Sequence, residues 1–175
     1  MSIMVSPLSQ VVELVGRRKP DRVISLLDPE TPFPELGPSY DGRHLRLQFH
    51  DVNEPSPGII PPGDDHVGDL LRFMGDWEDG QSLLVHCRAG ISRSTATAFV
   101  AACYRNPRVT ELAIARELRR VAPLARPNER IIGFADRLMQ REGRMSAAFA
   151  ETFGGLDWVN VGENVPFEMS STFTS

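Results

Sequence analysis

Ser82-Leu83-Leu84-Val85-His86-Cys87-Arg88-Ala89-Gly90-Ile91-Ser92-Arg93-Ser94 is the stretch on which the reading of this chain turns. Its first five residues, with Leu83-Leu84-Val85 at their centre, read as a strand covered on both faces in a parallel sheet. Beyond it, Ala96, Phe99, Val100 and Cys103 recur on one helical face until Asn106-Pro107 stops the helix. A loop from Cys87 to Arg93 joins the two. Phosphate-binding loops are built this way, from a buried strand that turns through a glycine-bearing loop into a helix. The loop's backbone N–H groups turn inward on an anion, and the helix N-terminus adds positive potential. Gly90 supplies the tight turn where a side chain would crowd the backbone.

Working outward, the same alternation continues. Ser6-Pro7 reads as a helix start, with Leu8, Val11, Leu14 and Val15 on one face and Pro20 closing it. Arg22-Val23-Ile24-Ser25-Leu26-Leu27 reads as a buried strand. Residues 28–42 read as loop, and His44–Phe49 as a second strand. After a Pro/Gly-rich stretch over 50–63, Val67, Leu70, Leu71 and Met74 mark a helix that Gly80 closes. Thr110 and Asn128 cap two further helices. Strands alternating with helices predict an α/β domain with a mainly parallel central sheet and helices on both faces. No repeat, low-complexity block or interdomain linker interrupts it.

The loop's side chains carry a chemistry. A lone cysteine at a strand end is most often a small buried apolar residue. Here Arg93 follows Cys87 by six residues, where the loop closes on the helix. The amides and helix end that hold phosphate also stabilise a thiolate, which makes Cys87 a candidate nucleophile. The planar guanidinium of Arg93 matches two equatorial phosphoryl oxygens, which a lysine does not do bidentately. Arg88, Ala89, Gly90, Ile91, Ser92 and Arg93 are the candidate phosphate-binding residues. Ser94 is placed to donate a hydrogen bond to the sulfur as it leaves, and His86 to hold the loop backbone.

Composition narrows the partners. The 175 residues suffice for one compact domain. A net charge of −4 gives no electrostatic reason for a nucleic-acid or anionic-membrane partner, and both are expected to be absent. No apolar run approaches the roughly 20 residues that span a bilayer, and no signal peptide is evident. The two cysteines, Cys87 and Cys103, do not suggest a disulfide framework, so a cytoplasmic location is expected. No cofactor is implied, and no His/Cys/Asp cluster has metal-ligand spacing, so no metal site is expected.

The motif His86-Cys87-Arg88-Ala89-Gly90-Ile91-Ser92-Arg93-Ser94 resembles the signature of the cysteine-based protein tyrosine phosphatase superfamily. It is most similar to the dual-specificity branch. Fainter likeness extends over residues 20–140. The resemblance implies a metal-independent phosphomonoester hydrolase with a phosphocysteine intermediate, acting on a phosphorylated protein or a small phosphate ester. Phosphate or sulfate would fit the loop. Such enzymes carry an acidic residue after the strand preceding this unit, which makes Asp51, after Leu45–His50, the candidate general acid. Asp64 and Asp65 compete, but their place before the helix at Val67 favours capping. Asn128, in Arg126-Pro127-Asn128, resembles a supporting asparagine of the family, with helix capping its first task. The Trp-Pro-Asp loop and the Asn-Arg-Tyr segment of the tyrosine-specific branch are absent, which implies a shallow mouth. The alternative is a catalytically weak module that captures phosphate without turnover. Arsenate reduction or sulfur transfer would also use such a loop, but the mid-chain position disfavours both.

Two expectations remain. Residues 1–146 form the phosphatase domain, and residues 147–175, rich in Phe149, Phe153, Trp158, Val159, Val161, Val165 and Phe167, form an extension packed on the domain or a neighbour. Cys103 and Trp77 read as core residues.

Overall fold

The computed structural model describes residues 2–155 and 162–173. The expectations for Trp158, Val159 and Val161 lie outside the described residues. In chain order the elements are β1 (Ser2–Pro7), α1 (Leu8–Arg18), β2 (Arg22–Leu27), a 3-10 turn at Pro38–Tyr40, β3 (His44–Gln48), α2 (Asp64–Gly75), β4 (Leu83–Cys87), α3 (Arg93–Arg105), α4 (Glu111–Val121), α5 (Glu129–Leu138), α6 (Arg144–Phe153) and β5 (Phe167–Ser170). The sheet order is β3-β2-β4-β1-β5. β1, β2, β3 and β4 run parallel, and β5 lies antiparallel against β1.

Side-chain alternation along the strands sorts the core onto two faces. Ile3, Val5, Ile24, Leu26, Leu83 and Val85 face the larger layer, with Phe99, Ile114, Leu118, Ile131 and Met145 from the helices opposite. Met4, Val23 and Leu84 face the other way and meet Val11 and Val15 of α1 together with Tyr40. Helices therefore cover both faces, as the alternation of elements predicted. α3 runs through the middle of the larger layer, and every residue from Arg93 to Cys103 is buried. Small residues at Ala96, Ala98, Ala101 and Ala102 let neighbouring elements close on it.

The N-terminus corrects one expectation. Ser6-Pro7 does not open the helix. Ser2–Pro7 is a strand, Pro7 keeps an extended ψ of 162°, and α1 begins at Leu8. The apolar run Ile3-Met4-Val5 is too short to separate strand from helix by pattern. Its pairing partners decide it: Ile3 sits opposite Leu83 on one side and Met169 on the other. Pro7 ends the strand, where a missing N–H removes no ladder bond from the middle of the sheet.

The layer around α6 rests on one buried carboxylate. Asp136 accepts from the backbone N–H of Gly143 at 2.7 Å, Met145 at 2.7 Å and Ser146 at 3.0 Å, so a side chain of α5 caps α6. Glu111 pairs with Arg141 at 3.0 Å in the same layer, both being buried. The division drawn between residues 146 and 147 falls inside α6. No helix among the described residues is long and apolar enough to cross a membrane.

Candidate active site

β4 ends at Cys87 and α3 starts at Arg93, so the loop occupies the carboxyl edge of the parallel sheet. Ligands of open α/β sheets bind at this edge. The loop's carbonyls are fixed from outside by other segments. Arg88 O accepts from Leu8 N at 3.0 Å, Ala89 O from Asn164 N at 2.8 Å, and Gly90 O from Asn164 Nδ2 at 3.2 Å. Ile91 O accepts from Arg126 N at 2.9 Å, and Ser92 O from Ala96 N at 2.9 Å and Asn128 N at 3.3 Å. A trans peptide points its N–H opposite its C=O. Carbonyls held outward therefore leave the amides turned the other way. Among the described residues, the amides of residues 88–92 have no protein acceptor. Gly90 has φ +71°, and a Cβ on it would meet Pro7 N at 3.0 Å and Ser6 C at 3.1 Å. Both the turn and the close approach to β1 require glycine.

Cys87 stands at the base of this ring, and Ser94 Oγ lies 3.1 Å from its Sγ. Arg93 is almost fully buried. Its Nη1 donates to Phe49 O at 2.7 Å and to Asp28 Oδ1 at 3.2 Å, and Nη2 reaches Asp28 Oδ2 at 3.5 Å. Its Nε has no hydrogen-bond partner, with Asp51 Oδ2 3.9 Å away. The Nη1 corner thus anchors the guanidinium and the Nε edge is left for an oxyanion.

Asp51 lies on the same cavity. Ser92 Oγ donates to its Oδ1 at 2.6 Å and Asn128 Nδ2 donates to the same oxygen at 2.9 Å. Asn128 also caps α5, accepting from Ile131 N at 3.1 Å. One side chain joins a helix start to the candidate acid. The cavity measures about 360 Å³, and its walls include Asp28, Asp51, Ile59, Cys87, Arg88 and Arg93. Arg88 is the exposed basic group at the rim. Asp64 and Asp65 are not among its walls; they occupy the first turn of α2, where Asp64 pairs with Arg137.

Behind the loop, His86 and Ser25 are buried on the α1 face. Ser25 Oγ lies 2.5 Å from His86 Nε2 and 2.6 Å from His44 Nε2. His86 Nδ1 is 3.5 Å from Cys87 O. Desolvation lowers both imidazoles from 6.5 to about 4, with the Arg93 charge adding to the effect at His86. A serine hydroxyl has one proton to give, so one of the two imidazoles must donate to it.

The sequence reading missed Asp28, His50 and Asn164. Asp28 follows β2 directly, at the same sheet edge as Cys87, and that position was the available signal. His50 pins the loop after β3: its Nδ1 accepts from Ile60 N at 3.0 Å, and its own N donates to Ile60 O at 2.7 Å. Asn164 comes from a distant segment, and nothing in its neighbourhood of sequence marks it. Cys103 is fully buried in α3, and burial pushes its thiol up. Both cysteines are free.

Comparison with known proteins agrees with this fold. No family model matches the chain. The human protein phosphatase Slingshot homolog 3 is 32% identical over 107 residues, which cover 59% of this chain and 15% of that protein. The chain thus spans under a fifth of that relative's length. The crystal structure of DUSP15 superposes with a TM-score of 0.56 at 19% identity, covering 88% of this chain and 94% of that one. Human DUSP28 superposes with a TM-score of 0.57 at 16% identity, covering 79% of this chain and 94% of that one. The chain carries the fold of the cysteine-based protein tyrosine phosphatases, in the form that the dual-specificity phosphatases have.

Proposed function

We propose that the chain hydrolyses phosphate monoesters through a phosphocysteine intermediate. The observation that carries this reading is the convergence of Cys87 Sγ, the open Nε edge of Arg93 and Asp51 on one cavity floored by unpaired amides. The Cys87 thiolate attacks phosphorus and forms the S–P bond. The ester P–O bond breaks, its electron pair goes to the leaving oxygen, and that oxygen takes a proton from Asp51. Water then attacks phosphorus and gives its proton to Asp51. The S–P bond breaks, and the Ser94 hydroxyl donates to the departing sulfur. The amides and Arg93 balance the charge of the equatorial oxygens in both steps. Both hydrogen bonds to Asp51 fall on Oδ1, which leaves Oδ2 to carry the mobile proton.

The substrate class is a phosphorylated protein side chain or a small phosphate ester. The relative named as a protein phosphatase supports the former. The test is hydrolysis of an aryl phosphate and of phosphopeptides without added metal. Cys87→Ser abolishes turnover. Asp51→Asn slows esters with poor leaving groups far more than those with good ones. Turnover that survives Cys87→Ser refutes the reading.

A further inference from the structure

We propose that Asn164 is a positioning residue of the phosphate loop, acting from the C-terminal segment through the carbonyls of Ala89 and Gly90. Asn164 N donates to Ala89 O at 2.8 Å and Asn164 Nδ2 donates to Gly90 O at 3.2 Å. These oxygens belong to two successive peptide units, whose N–H groups are those of Gly90 and Ile91. Each unit is planar and trans, so fixing its oxygen fixes the direction of its N–H. Gly90 is the loop's most freely turning residue, and the Gly90–Ile91 peptide is the one most able to rotate. The Asn164 carboxamide holds that peptide from outside. A rotation would aim a carbonyl at the anion in place of an amide.

The segment is itself anchored on both sides of Asn164. Ser9 Oγ donates to Glu163 Oε2 at 2.5 Å. Downstream, β5 pairs with β1, Asn106 Nδ2 donates to Ser171 O at 2.8 Å, and Phe173 N donates to Asn106 Oδ1 at 2.9 Å. Asn164 is 7% exposed, so little water competes for its bonds. Gly162, two residues earlier, is part of the cavity wall. The sequence motif supplies the amides, and this distant segment sets the direction of two of them.

The proposal rests on the phosphatase reading for its effect on turnover, but anion binding tests it separately. Tungstate affinity is measured by calorimetry on the full chain and on Asn164→Ala, Asn164→Asp and Ser9→Ala. Iodoacetamide alkylation of Cys87 at neutral pH and the kcat and KM for an aryl phosphate are measured alongside. Asn164→Ala loses one hydrogen bond and keeps the backbone one, so tungstate affinity falls about tenfold. Cys87 alkylation slows, and kcat/KM falls by a similar factor. Asn164→Asp keeps the size but sets an acceptor against Gly90 O, and loses more. Ser9→Ala removes only the Glu163 anchor and keeps both Asn164 bonds to the loop, so affinity and kcat fall less than in Asn164→Ala. Wild-type tungstate affinity in a folded Asn164→Ala overturns the proposal. So does global unfolding of both Asn164 variants, which would make the residue a stability element. If the wild type binds tungstate but hydrolyses no ester, and Asn164→Ala loses that binding, the positioning role stands and the catalytic reading falls.

Discussion

Asp28 grips Arg93 along one edge, with Oδ1 3.2 Å from Nη1 and Oδ2 3.5 Å from Nη2. The arginine's other edge, Nε, has no hydrogen-bond partner, with Asp51 Oδ2 3.9 Å away. Asp28 directly follows β2 and Cys87 ends β4, its parallel neighbour, so the sheet sets the distance between anchor and nucleophile. Asp28→Asn keeps the shape and removes the charge. It is expected to lower kcat/KM on an aryl phosphate by roughly tenfold to a hundredfold, the weight of a charged hydrogen bond. Steady-state kinetics with circular dichroism as a fold control checks it.

Asn128 permits a separation of stability from catalysis. Asn128→Asp retains the side-chain oxygen that caps α5 but loses the donor to Asp51. It should keep most of the wild-type Tm and lose activity. Asn128→Ala should lose both, with the cap contributing about 1 kcal/mol. Thermal melts and kinetics on the two variants decide it.

Gly90→Ala should be far worse than a usual glycine-to-alanine change. It forces a side chain into positive φ and against the Ser6–Pro7 backbone. A cost on the order of 1–3 kcal/mol is expected, with loss of tungstate binding. Denaturant titration and calorimetry measure the two effects.

The motif was legible because it is local. His86 through Ser94 lie together in sequence, and the strand and helix that hold them follow from apolar periodicity. Asp51 lay within reach because it follows a readable strand. Asp28 was passed over although it directly follows a strand at the sheet edge where Cys87 stands, since a carboxylate after Leu27 also reads as a loop residue. β1 and β5 were illegible for a different reason. Three apolar residues in β1 and a four-residue β5 carry almost no pattern, and only pairing across the sheet makes them strands. Asn164 owes its place to that pairing.

The pH response should be one-sided. His44 and His86 are neutral in the folded chain and titrate near 4, whereas an unfolded imidazole titrates near 6.5. Above 6.5 both states are neutral, and the pair costs no stability. As pH falls from 6.5 toward 4 the unfolded chain takes up protons that the folded chain refuses, so stability declines. Below about 4 this contribution levels off. Ser25→Ala would leave both imidazoles without that partner and lower the stability at neutral pH. Urea midpoints between pH 7 and 4, for wild type and Ser25→Ala, test both statements.

The sheet order β3-β2-β4-β1-β5 has a consequence in time. β1 must wait for β4, whose residues lie some 80 positions later, and β5 closes on β1 across nearly the whole chain. Contacts of such sequence separation form late and slowly. Leu8 and Asn164, which hold the loop from its two sides, arrive with those strands. A chain emerging from the ribosome therefore carries Leu8 and Cys87 well before Asn164, so the loop's second hold is the last of the three to become available.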